Sequence, residues 1–251
     1  MMMMIWVALL LGSCSLSTGF PVNSTSGAAL ASATPQLGVS HNASGETLTE
    51  LQGDQPTLEG DILLEEDRNA VNTVWSDGVV PYVIDPEIAF RTADILKAFN
   101  MIMSLTCIRF MPHTYELNYI EIKNGQGCSS YVGCRGGSQP VYFESTCTSG
   151  NLCHELIHAL GMYHEHTRPD RDDHIIVQWQ SIIPGKSSNF DIKVGNTLNL
   201  PYDFESIMHY GRNYFSVDGS PTIETKGSAE IGQRSHLSQL DVQKLNALYH
   251  C

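Results

Sequence analysis

At 251 residues and 42% hydrophobic content, the chain has material for one domain with a full core plus flanking segments. A formal net charge of −13 argues against nucleic acid and anionic membrane surfaces as partners, because both demand basic patches. The acidity is uneven: residues 1–68 carry eight acidic side chains against Arg68 alone, which leaves 19 acidic and 13 basic after it, so the later segment is only mildly acidic.

In chain order, the apolar run from Met1 to Leu11 gives way to small residues through Ser17-Thr18-Gly19. Its length suits a signal peptide over residues 1–19 and is too short to span a bilayer, although no basic residue precedes it. No later run approaches transmembrane length, so a secreted, extracellular protein without a stable membrane anchor is expected. Once Cys14 leaves with the signal, Cys107, Cys128, Cys134, Cys147, Cys153 and Cys251 remain. An even number in an exported chain implies three disulfides, with about 15 pairings open at this point.

Residues 20–57 are rich in Ser, Thr, Ala, Gly and Pro without apolar periodicity, a composition that cannot order itself. Both glycosylation acceptors, at Asn23 and Asn42, fall there. An acidic run from Leu58 to Asp67 ends at Arg68, and the Arg68–Asn69 bond suits processing by a trypsin-like protease. Residues 20–68 are therefore expected to form a pro-segment. Val79–Ile84 reads as a strand, and Asp85-Pro86 as the start of a helix carrying Ile88, Ile95, Phe99 and Ile102. Short strands are expected over Cys107–Phe110, Tyr119–Lys123 and Val141–Phe143, a helix over 150–161, and a last helix from a Ser238–Asp241 capping box to Tyr249. No internal repeat is present, and the folded part reads as one α+β unit over 69–251.

Chemistry concentrates in His154-Glu155-Leu156-Ile157-His158-Ala159-Leu160-Gly161-Met162-Tyr163-His164. On a helix, His154 and His158 at i and i+4 share a face and can reach one metal ion. Glu155 is placed to reach water at the metal. Gly161 permits a positive φ that ends the helix and returns His164 as third ligand. Three imidazoles leave a zinc position open, which is the catalytic pattern. Cys153, beside a ligand, reads as a thiolate ligand or, better, as a disulfide half.

The stretch from His154 to Arg171, HELIHALGMYHEHTRPDR, and Ser206-Ile207-Met208-His209-Tyr210 together resemble the extended zinc signature and Met-turn of the astacin family of metzincin proteases. The likeness covers essentially all of 69–251 and is strongest toward the fish hatching-enzyme and nephrosin-type branch. It implies a two-subdomain metzincin fold, a mixed sheet with an active-site helix and a C-terminal helix. It implies one zinc held by His154, His158 and His164, with Glu155 as general base. Tyr210, alone a half-buried core tyrosine, becomes by this likeness a fifth ligand in the resting state that swings off to bind the oxyanion. Met208 packs beneath the ligands, and Glu165 receives the new N-terminus after activation. Leu58-Glu59-Gly60-Asp61 resembles the family's inhibitory motif, with Asp61 on zinc in the zymogen only. The family's bridges suggest Cys107–Cys251 and Cys128–Cys147, with Cys134 and Cys153 left for a third. Cys128-Ser129-Ser130-Tyr131 resembles the edge strand that receives substrate backbone.

These expectations describe a zymogen endopeptidase for extracellular proteins, egg-envelope proteins among them. The competing readings are a catalytically inert zinc-containing binding module and a structural envelope or matrix protein. The intact Glu155 opposes the first, and the lack of repeats or adhesion domains opposes the second.

Overall fold

A β-branched run, a proline-started turn and two capping boxes set the main elements of the computed structural model, which describes residues 57–63 and 74–251. The expected signal peptide, the glycosylation acceptors, Arg68 and Asn69 lie outside those residues. Nine strands and three α-helices are described: β1 Thr57–Leu58, β2 Ile62–Leu63, β3 Val79–Ile84, α1 Thr92–Met103, β4 Arg109–Pro112, β5 Tyr119–Lys123, β6 Cys128–Ser130, β7 Ser138–Phe143, α2 Ser149–Ala159, β8 Ile175–Val177, β9 Ile223–Thr225 and α3 Gln239–Tyr249.

Seven strands form a mixed sheet in the order β1-β2-β6-β7-β5-β3-β4. Strands β4, β3, β5 and β7 run parallel, β6 is antiparallel to β7, and β2 joins β6 in parallel. Helices α1 and α2 pack on each other, and α2 also contacts β6 and β7. Between them lies one buried cluster that includes Ile95, Phe99, Ile102, Ile120, Ile122, Phe143, Leu152 and Leu156. The Trp75 indole closes one side by donating to the Ala159 carbonyl at 2.8 Å. A second cluster, with Phe190, Tyr202, Tyr210, Tyr214, Phe215 and Ile223, gathers around the small β8–β9 sheet. These two cores correspond to the two subdomains expected of an α+β metzincin fold. Among the described residues no helix is long and apolar enough to cross a membrane.

Three local differences have physical causes. The helix expected from Pro86 begins as a 3-10 turn over Pro86–Arg91, capped by the Asp85 carboxylate on the Glu87 amide. Arg91 then breaks helical geometry (φ −98°, ψ 10°), and its guanidinium reaches the Glu144 and Cys147 carbonyls at 2.8 Å each. Strand β4 starts two residues later than expected. The Ile108 amide turns instead to the Thr106 hydroxyl, so parallel pairing begins at Val79↔Arg109.

The third difference corrects a disulfide. Cys107–Cys251 and Cys128–Cys147 are bridged, whereas no bond joins Cys134 to Cys153, both buried thiols. The Gly133 amide pins the Cys134 loop to the His158 carbonyl at 2.9 Å. Apolar burial raises the thiol pKa of each, most strongly for Cys153.

Candidate metal centre

Helix α2 is buried on every face, so the side chains it carries meet protein all round. A Thr148–Asn151 capping box starts it and fixes its register. His154 and His158 point one way from successive turns, and Glu155 is fully buried beside the first. The helix stops where expected: Gly161 adopts φ +108°, and its amide bonds back to the His158 carbonyl at 2.8 Å. The chain turns and brings His164 back to the other two imidazoles.

The three Nε2 atoms converge. His154–His158, His154–His164 and His158–His164 separations are 3.1, 3.2 and 3.3 Å. Asp61 Oδ2 caps the group at 3.2 Å from both His154 Nε2 and His164 Nε2. Each Nδ1 faces an acceptor: the Ile207 carbonyl at 2.8 Å, the Met162 carbonyl at 2.7 Å and the Glu59 carboxylate at 2.6 Å. Each Nδ1 therefore carries the proton, and the Nε2 lone pairs are aimed at one another. Such an arrangement is repulsive unless a cation lies between. Donors about 2.05 Å from a tetrahedral zinc stand about 3.3 Å apart, so the observed edges fit that ion.

Electrostatics agree. Burial opposes the charge on Asp61, but His164, His154 and His158 outweigh it and hold its carboxyl well below the usual range. Burial, then the neighbouring imidazoles, pull His158 well below its ordinary value, favouring the neutral ligand form. Burial also opposes a charge on His164, yet the Asp61 and Glu59 carboxylates push it up to about 9. Without metal, a proton would thus occupy one Nε2. One proton cannot serve three convergent imidazoles and a carboxylate, whereas a divalent cation can, displacing that proton on binding.

Residues 57–63 approach as a hairpin of β1 and β2, with Glu59, Gly60 and Asp61 in its turn. Glu59 (φ +53°) and Gly60 (φ +86°) are both left-handed, which turns Asp61 inward. A Cβ on Gly60 would lie 2.5 Å from the Phe215 ring, so glycine is required there. The Asp61 carbonyl accepts from the Ser130 amide at 3.0 Å, and β2 lies along the free edge of β6. That is the strand expected to receive substrate.

Tyr210 is fully buried, not half-buried. Its hydroxyl donates to the Glu59 carbonyl, and its ring stacks on His166 at 3.8 Å. Met208 is buried in the main core, and its carbonyl accepts from the Glu165 amide at 3.0 Å. Three groups escaped the sequence reading. Glu59 sits in the inhibitory motif but had no role, and its carboxylate is the partner of His164 Nδ1. Asp241 was read only as a capping residue. It also binds the Ser206 hydroxyl at 2.6 Å and the Ile207 amide at 2.9 Å, so α3 holds the loop whose carbonyl orients His154. Lys244 contacts Glu165 at 2.5 Å. Glu59 could have been suspected from its place beside Gly60-Asp61; nothing in the sequence signals the other two.

A mixed sheet, a histidine helix and a convergent His₃–carboxylate group able to hold a metal ion together define a metzincin-type metal centre. Residues 67–250 match the family model for the Astacin peptidases, and the chain belongs to that family. It is 39% identical over 215 residues to high choriolytic enzyme 1 of Oryzias latipes, covering 79% of each chain. It is 40% identical over 232 residues to zinc metalloproteinase nas-14 of Caenorhabditis elegans, covering 86% of this chain but 46% of that protein. Embryonic protein UVS.2 of Xenopus laevis is 39% identical and is covered to only 40%, so the chain spans less than half of these two longer relatives. Among solved structures, the hatching-enzyme zinc-protease from Oryzias latipes superposes with a TM-score of 0.68 at 38% identity, over 76% of this chain and all of that one.

Proposed function

We infer that this zinc metalloprotease is a secreted endopeptidase made in latent form, with residues 1–19 as signal peptide, 20–68 as pro-segment and 69–251 as catalytic domain. The observation that carries the latency is Asp61 Oδ2, 3.2 Å from two of the three convergent Nε2 atoms, at the vertex a water or substrate oxygen would need. Removal of the chain up to Arg68 by a trypsin-like protease would take Asp61, Glu59 and β2 away together.

His154, His158 and His164 would hold the metal. When bound, zinc lowers the pKa of water and polarises a carbonyl. Glu155 takes the proton from the attacking water and later passes it to the departing amine. The Tyr210 hydroxyl, once released from the Glu59 carbonyl, would be free to serve as a further ligand at rest and to donate to the oxyanion during turnover. Strand β6, relieved of β2, takes an extended substrate backbone by strand addition. The substrates are extracellular proteins. Egg-envelope proteins are the favoured class, on the strength of the choriolytic and hatching-enzyme relatives.

The test compares trypsin-treated wild type with Glu155→Ala, measuring bound zinc and hydrolysis of a fluorogenic peptide with and without chelator. Both should bind one zinc per chain. Turnover should be chelator-sensitive in wild type and lower in the variant by about 10²- to 10⁴-fold. Near-wild-type turnover in Glu155→Ala would remove the general-base assignment. Zinc without turnover in the wild type would favour the inert binding module.

A further inference from the structure

Two of the convergent imidazoles find their Nδ1 acceptors within residues 74–251. His154 Nδ1 donates to the Ile207 carbonyl at 2.8 Å, and His158 Nδ1 to the Met162 carbonyl at 2.7 Å. His164 differs. It stands beyond Gly161, outside helix α2, and its Nδ1 donates at 2.6 Å to the Glu59 carboxylate. Glu59 lies in the hairpin turn that also brings Asp61 Oδ2 to 3.2 Å from His164 Nε2. One turn thus grips both nitrogens of the same imidazole, and that ring is the one α2 does not carry.

The Glu59 side chain is not needed to dock the hairpin. Its main-chain carbonyl is held by the Tyr210 hydroxyl, and β2 lies along β6. The residue sits at φ +53°, a left-handed conformation that glycine would adopt without steric cost. Its carboxylate is fully buried, which is costly unless the charge is paired. Among the described residues its hydrogen bond goes to His164 alone, and Lys193 Nζ stands 3.7 Å from the other oxygen. A carboxylate placed at such cost against one imidazole N–H acts as an orienting group. It fixes the tautomer, points the ring and makes Nε2 a better donor to a metal.

We propose that Glu59 is a positioning residue for the metal site, lent by the hairpin, so that the intact chain holds zinc more tightly than the histidines and Asp61 would hold it alone. Glu59 keeps the proton on His164 Nδ1 and so directs the Nε2 lone pair at the ion. Latency and metal retention are then two effects of one turn. Asp61 fills the vertex that a substrate oxygen would use, and Glu59 secures the ligand that lies outside α2. The latent form is thereby the form best fitted to acquire and keep the metal.

This inference rests on the zinc and latency readings above, and a measurement of zinc affinity separates it from them. Uncleaved wild type, Glu59→Ala, Glu59→Gln, Asp61→Ala and the Glu59→Ala/Asp61→Ala double variant are titrated with a competing zinc chelator. Glu59→Ala should bind zinc about 10- to 100-fold more weakly than wild type, and the double variant should fall below Asp61→Ala by a similar factor. Glu59→Gln, whose amide oxygen still accepts from Nδ1, should recover part of the loss. After cleavage at Arg68 every one of these chains yields the same residues 69–251, so the differences should vanish. Affinity of Glu59→Ala within about threefold of wild type overturns the proposal. So does a loss that disappears in the Asp61→Ala background, which would make Glu59 only a tether for Asp61. If Glu59→Ala does not fold, Glu59→Gln decides it, and an affinity equal to wild type overturns the proposal. Absence of zinc binding by uncleaved wild type would fell the metal reading and this inference together, whereas equal affinities with zinc bound would fell this inference alone.

Discussion

Three imidazoles become a metal site here because each is told which nitrogen to protonate. The Ile207 carbonyl, the Met162 carbonyl and the Glu59 carboxylate take the Nδ1 protons, which leaves the Nε2 lone pairs for the ion. The histidines and Glu155 were legible in the sequence because helical periodicity and one glycine fix their relative directions. Their orienting groups were not, since Ile207 is 53 residues and Glu59 is 105 residues from the imidazole each one holds. Asp170 offers a test at the same scale. Arg168 donates to its carboxylate from two nitrogens at 2.8 and 2.7 Å, and these bonds hold its pKa below the usual carboxylate range. A depressed folded-state pKa adds stability above the unfolded value, about 3.9, and that stability is lost as pH falls through the lower folded value. Asp170→Asn should therefore be less stable than wild type at pH 6–7, with the gap closing below about pH 4. Urea unfolding across that range checks it, and a gap that widens in acid would contradict the pairing.

Elements with a local stop or start signal were read nearly to the residue. Strands β3 and β5 have the expected bounds, and the Thr148 and Ser238 caps begin α2 and α3. The start of α1, the register of β4 and the Cys134–Cys153 pairing were misread because each depends on distant partners. Arg91 reaches across to 144 and 147, and Gly133 is tied to the end of α2. Helix α2 is also positioned by a close approach no periodicity signals. A Cβ on Gly150 would fall 1.6 Å from the Arg234 carbonyl oxygen, so backbone must shift. Arg234 also donates to the His209 carbonyl at 2.9 Å, which links that contact to the Met-turn. Gly150→Ala should cost about 3 kcal/mol in unfolding free energy and weaken zinc retention. Chemical denaturation and a competing-chelator titration measure both, and a change under about 0.5 kcal/mol would show that the contact is not constraining.

At the scale of the whole molecule, the sheet is completed by residues from the segment expected to be removed. Strand β2 covers the edge of β6, Glu59 ties its turn to His164 and Tyr210, and Asp61 fills the fourth vertex of the imidazole group. The inhibitory motif was visible as Leu58-Glu59-Gly60-Asp61, but its mode of attachment was not. A parallel two-residue strand has no sequence signature, and neither does a left-handed glutamate. On the proposed latency, the imidazole group is already assembled in the intact chain and Asp61 silences it. The most direct measurement is peptide turnover by zinc-loaded, uncleaved Asp61→Ala beside uncleaved wild type. The uncleaved variant should turn over at least tenfold faster than uncleaved wild type, whose activity should appear only after cleavage at Arg68. An uncleaved wild type already as active as its cleaved product, or a variant as silent as the uncleaved wild type, would contradict it.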